Sequence, residues 1–276
     1  MLSSRSEGAA WWAIPAFLLL LIPLSWYSWL LGYADDPGNS GINPLGPLVA
    51  ALLVSAAGGW TNLKAFVRTV VRIRAHWTTY AIALLLPILL AVASVAIMIA
   101  QGANFPIGQA QARWTDLVDA FLIMFLFVAL GEEPGWRGWL MPRLQAHLSP
   151  LKASLALAPV WALWHLPMLG EELPFDQLIP FLISLTAASI VLTWLTLRTR
   201  GGVLPAMICH ATVNAIGGSY LFTFFSGADT TSLRWINAIL WALAAILVAV
   251  LTRGLLGAGG GRREMDEIGN GSGGGT

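Results

Sequence analysis

Long apolar runs separated by short polar breaks organise this chain. They lie at about Trp11 to Tyr33, Ile42 to Gly59, Thr79 to Gln101, Val118 to Met141, Leu151 to Leu169, Leu178 to Leu197, Val203 to Phe225 and Trp235 to Leu251. A bilayer consumes about 20 apolar residues per crossing. The pattern therefore predicts an all-α, polytopic transmembrane helix bundle of about eight spans. Between the second and third runs, Trp60 to Trp77 sets Leu63, Phe66, Val67, Val70, Val71 and Ile73 among Lys64, Arg68, Arg72 and Arg74 at helical spacing. That arrangement predicts an amphipathic helix lying in the membrane interface. The first run follows Arg5 as a signal peptide would, but it is too long for the usual apolar region and no A-x-A site closes it, so it reads as an uncleaved span.

Composition and charge fit the same picture. The chain is 57% hydrophobic and 11% charged, against roughly 25% charged in soluble domains. Lys and Arg should gather in alternate, cytoplasmic loops. Arg5; Lys64 to Arg74; Arg143 and Lys152; Arg198 and Arg200; and Arg253, Arg262 and Arg263 fall on one side, whereas Arg113, Arg234 and the acids Asp35, Asp36, Glu171, Glu172, Asp176 and Asp229 fall on the other. This predicts a multi-pass protein of the inner or plasma membrane with both termini cytoplasmic. A net charge of +1 gives no basic field for nucleic acid. Cys209 is the only cysteine, which excludes a disulfide framework within the chain and a thiolate metal cluster. Residues 1–256 read as one membrane-embedded domain. Residues 257–276 read as a disordered Gly-rich cytoplasmic tail.

Three polar groups interrupt the apolar runs at depth: Glu132-Glu133-Pro134-Gly135-Trp136-Arg137 in the fourth, Trp161 with His165 in the fifth, and His210 with Asn214 in the seventh. Ionisable groups in spans are costly and usually functional. Counting from the basic loops at about 1.5 Å per helical residue, Glu132 and Glu133 lie roughly 18 to 20 Å deep, His165 roughly 22 Å and His210 roughly 14 Å. One shared layer would hold all of them. Helical spacing lets Glu133 pair with Arg137 and points His210 and Asn214 into one space. Glu132, desolvated beside a second acid, then suits a general base, with His165 able to share that role. His210 and the Asn214 amide suit an oxyanion. Pro134 and Gly135 break the helix where a wet cavity would tolerate it. Taken singly, the Glu-Arg pair reads equally well as a structural ion pair, and each histidine reads better as a packing residue. Their conjunction favours a site. Cys209 and His210 point about 100° apart, against a nucleophile pair, and His76 and His147 fall in cytoplasmic loops.

The chain lacks an H-E-x-x-H zinc helix, a G-x-S-x-G elbow and paired aspartates in separate spans, since Asp116 and Asp119 lie together at the outer end of the fourth run. Its polar motifs resemble those of the CPBP intramembrane proteases, the CAAX-protease and bacteriocin-processing or Abi family: E-E-x-x-x-R at Glu132, Glu133 and Arg137, F-x-x-x-H with Trp161 in place of Phe before His165, and H-x-x-x-N at His210 and Asn214. The resemblance covers a core at about residues 79–225. It implies an intramembrane endopeptidase acting on a membrane-associated or lipid-tailed protein or peptide. Glu132 with His165 would activate water, His210 and Asn214 would stabilise the oxyanion, and Glu133 with Arg137 would organise the site beside the aromatic wall of Trp161. Members are often called metalloproteases. If a divalent metal such as zinc were held, Glu132, His165 and His210 would be its ligands, although the base and ion-pair roles of the two glutamates favour none held tightly. The competing readings are a non-catalytic bacteriocin-immunity or chaperone-like membrane protein and a proton- or cation-coupled transporter. No internal repeat supports transport.

Overall fold

The computed structural model describes residues 12–32, 41–170 and 172–257. Arg5, Asp35, Asp36, Glu171, Arg262, Arg263 and the Gly-rich tail after Gly257 lie outside the described residues, as do the outer limits Trp11 and Tyr33 of the first run. Among the described residues the protein is a helical bundle without a strand. Its helices are α1 (Ala13–Leu30), α2 (Gly46–Ala57), α3 (Trp60–Val71), α4 (Trp77–Ala100), α5 (Ile107–Ala112), α6 (Trp114–Gln145), α7 (Pro150–Trp164), α8 (Leu178–Leu197), α9 (Leu204–Thr212, extended by a π-turned stretch, Val213–Gly218) and α10 (Ala228–Leu251).

All eight apolar runs form helix, but not all to the expected length. Five helices, α1, α4, α6, α8 and α10, are long and apolar enough to cross a membrane. The other three are shorter: α2 has 12 residues, α7 has 15, and α9 has 9 plus 6 in its π-turned stretch. At about 1.5 Å per residue these reach roughly 18 to 22 Å. Breakers set their limits. Pro47 and Gly58 bound α2, Pro150 opens α7 and Pro167 follows it, and α9 runs from Pro205 to Gly218. Proline lacks an N–H and glycine weakens a helix interior, so an apolar run can continue where the helix does not. The amphipathic α3 also ends early. Residues after Val71 turn extended, and Trp77 belongs to α4.

Close packing joins α2 to α6. A Cβ on Gly131 would stand 2.3 Å from the Pro44 carbonyl oxygen, and one on Gly135 would stand 2.5 Å from that of Pro47, so only glycine lets the backbones approach this far. Phe17 of α1 stacks on Trp139 at 4.7 Å and meets Trp136 edge-on at 5.9 Å, fixing α1 against the same stretch of α6. The loops then sort by end. At one, Arg72 Nη1 donates to the Arg200 carbonyl at 2.7 Å, Val203 N–H donates to the Thr69 carbonyl at 3.0 Å, and Gly254 lies against Leu151. At the other, the Tyr220 hydroxyl donates to the Ala110 carbonyl and Thr231 Oγ1 donates to Asp176 at 2.6 Å.

Candidate active site

Glu132 and Glu133 occupy a single α-turn, Leu130–Glu133, held between π-turned stretches at Met124–Ala129 and Pro134–Leu140. Pro134 cannot continue the ordinary ladder, and π-turns of this kind frequently accompany functional positions. Both glutamates are buried, as are Arg137 and His210. Buried carboxylates demand partners.

The two acids have different partners, although Glu133 Oε2 and Arg137 Nε and Nη2 are buried without a hydrogen bond among the described residues. Glu133 Oε1 accepts from Arg137 Nη1 at 3.0 Å and from His210 Nδ1 at 2.7 Å, bringing the first and third motifs together. Among the described residues Glu132 Oε2 accepts only the indole N–H of Trp161, at 2.8 Å. Trp161 also receives His165 Nδ1 on its carbonyl oxygen at 2.8 Å. A carbonyl can only accept, so the proton sits on Nδ1 and the neutral ring presents a lone pair at Nε2. The same indole carries the Arg137 guanidinium carbon 4.2 Å over its face and meets the His210 ring edge-on at 5.5 Å. Trp161 therefore contacts Glu132, Arg137, His165 and His210. The sequence assigned it only an aromatic wall, whereas its N–H supplies a bond that phenylalanine lacks.

Glu132, Trp161, His165, His210 and Asn214 line one cavity of about 520 Å³, while Glu133 and Arg137 lie behind its wall. A volume of this order suits a small ligand or a short stretch of chain. Sequence reasoning missed several lining residues. Trp164 and Phe181 meet the His165 ring edge-on at 4.9 and 5.2 Å, and Asn237 donates to Ser94 Oγ at 3.1 Å. Arg234 is the cavity's only Lys or Arg among the described residues, and its guanidinium lies 5.6 Å from the Phe222 ring centroid. It was read as a loop cation because the last apolar run was started at Trp235, whereas α10 begins at Ala228. Among the described residues no three of His, Cys, Asp and Glu converge as a metal-binding set, so Glu132, His165 and His210 share a cavity without forming a ligand cluster. Cys209 is fully buried, and His76 and His147 are exposed.

Comparison with known proteins finds two partial likenesses. Residues 114–216 match the family model described as type II CAAX prenyl endopeptidase Rce1-like. This segment is similar to the Rce1-like family. It runs from the start of α6 into the π-turned end of α9 and carries every motif residue from Glu132 to Asn214. A relative from Methanococcus maripaludis, CAAX prenyl protease 2, is 34% identical over 109 residues, a match taking in 36% of this chain and 40% of the relative. The chain thus spans about two fifths of the length of that relative. The resemblance to CAAX proteases drawn from the motifs is shown over the Rce1-like segment.

Proposed function

We propose that this multi-pass membrane protein is an intramembrane endopeptidase that hydrolyses a peptide bond of a membrane-associated or lipid-tailed protein or peptide. The observation that carries this reading is the unequal placing of the two buried acids, Glu132 on the cavity wall and Glu133 behind it. Glu133 is committed to Arg137 and His210. Glu132 keeps Oε1 without a protein hydrogen bond among the described residues, on the wall of the cavity that His165 also lines.

In the proposed reaction, Glu132 takes a proton from water as the water oxygen attacks the peptide carbonyl, and the His165 Nε2 lone pair accepts the second water hydrogen and aims the oxygen. The tetrahedral oxyanion receives the Asn214 amide N–H, and the Nε2–H of His210 when that ring carries both protons. Collapse breaks the C–N bond. The proton held by Glu132 passes to the departing amine, leaving a new carboxyl and a new amino terminus. Glu133 and Arg137 hold His210 and Trp161 in place.

Purified protein in nanodiscs, given a library of quenched fluorescent peptides with membrane-partitioning tails, is expected to turn over at least one of them. Glu132→Ala and His165→Ala should each abolish turnover, and a chelator should leave it unchanged. Folded wild type inactive on every peptide would refute the reading. Loss of activity with chelator would refute the metal-free form of it.

A further inference from the structure

Among the described residues, the cavity reaches only one end of the bundle. Its lining takes Ile42 and Pro44 before α2, Met168, Glu172 and Gln177 between α7 and α8, Gly218 at the end of α9, and Ser219 and Phe222 after it. Glu172 and Gly218 are exposed at the rim. It includes nothing from α3 or from the turns joining α6 to α7 and α8 to α9. Towards those turns it is sealed by Trp136, Trp139, Leu140 and Met141, each at most 2% exposed. The short helices explain the asymmetry, because α7 and α9 begin at the sealed end and stop beside the cavity.

The charges label the two ends. Lys64, Arg68, Arg72, Arg74, Arg143, Lys152, Arg198, Arg200 and Arg253 lie at the sealed end, which has no acid among the described residues. Asp116, Asp119, Glu172, Asp176 and Asp229 lie at the open end with Arg113 and Arg234. Clustered Lys and Arg in short loops mark the cytoplasmic side. We infer that the site takes its substrate from the extracytoplasmic side, so that the substrate is a peptide segment presented at the outer leaflet rather than a lipidated terminus in the cytosol.

The inference rests on the peptidase reading only for the word substrate, since the direction of opening can be measured without turnover. Glu172→Cys at the rim and Ala146→Cys at the sealed end would be labelled with a membrane-impermeant maleimide in intact bacterial cells expressing the full chain. The fully buried Cys209 supplies the wild-type baseline. Labelling of Glu172→Cys at least about tenfold above Ala146→Cys is expected, with the difference lost on permeabilisation. Ser219→Cys repeats the rim measurement should Glu172→Cys misfold. Preferential labelling of Ala146→Cys in intact cells would overturn the inference, as would equal labelling of both. If the peptidase reading alone fails, no peptide is cleaved by vesicles of either orientation and the labelling asymmetry remains.

Discussion

The sealed and hollow halves of this bundle are built from the same helices, yet they treat polar groups in opposite ways. Behind the cavity wall, Glu133 and Arg137 are fully buried and bonded to each other, with His210 closing the cluster. On the wall, Glu132 has one held oxygen, His165 has one held nitrogen, and each keeps its other atom available for chemistry. In the proposed reaction, adjacent residues of one helix turn thus fall on opposite sides of a line between scaffold and reagent. A charge enclosed in protein must be neutralised in place, whereas a charge facing a cavity can be left for a substrate to complete.

Substitutions can break this contrast from its strongest side first. Arg137→Ala strands Glu133 and His210 without their cation, and removal of one partner from a buried pair costs about 3 to 5 kcal/mol. Thermal unfolding in detergent should show a large loss of stability together with loss of activity. An Arg137→Ala protein as stable as wild type would dissolve the scaffold role. Glu132→Gln should instead leave the melting temperature close to wild type while turnover falls by roughly 10² to 10⁴, the span associated with a positioned general base. Parallel loss of stability would make Glu132 a second scaffold acid. Trp161→Phe keeps the ring and removes one N–H from a charged acceptor, a bond of about 1.5 to 3 kcal/mol. The drop, roughly ten- to a hundredfold, should fall on kcat with KM little changed, and an unaltered kcat would show that Glu132 is oriented by packing alone. The smallest effect belongs to Asp116→Asn. Its pair with Arg113 is about half exposed on both sides, so stability should move by less than about 1 kcal/mol. A larger change would mean that the open end is more tightly built than its exposure indicates.

Hydropathy revealed the helical class because bilayer insertion is close to additive along a run. It overstated α2, α7 and α9 because helix length depends on Pro47, Pro150, Pro205 and Gly218 as well as on apolar content. The groups that meet in the site were legible as polar residues at similar depth in different runs. Their allocation was partly legible: spacing pairs Glu133 with Arg137, and the structure forms that bond. Spacing could not show His210 reaching Glu133, nor the Trp161 indole reaching Glu132, since both contacts depend on how separate helices rotate. Arg234, Phe181 and Asn237 carry no motif, and only the packing of α8 and α10 against the site reveals them.

The glycine contacts bear on autonomy. The stretch 114–216 that matches the Rce1-like model contains every motif residue from Glu132 to Asn214, but the bare faces of Gly131 and Gly135 are filled by the Pro44 and Pro47 carbonyls, and Trp136 and Trp139 are covered by Phe17. Cut out alone, that stretch would offer lipid a notched, indole-lined surface in place of a seated neighbour. The portion shared with relatives is therefore not a module that can be lifted out. Its surface is completed by α1 and by the backbone leading into α2, which must stay seated against it.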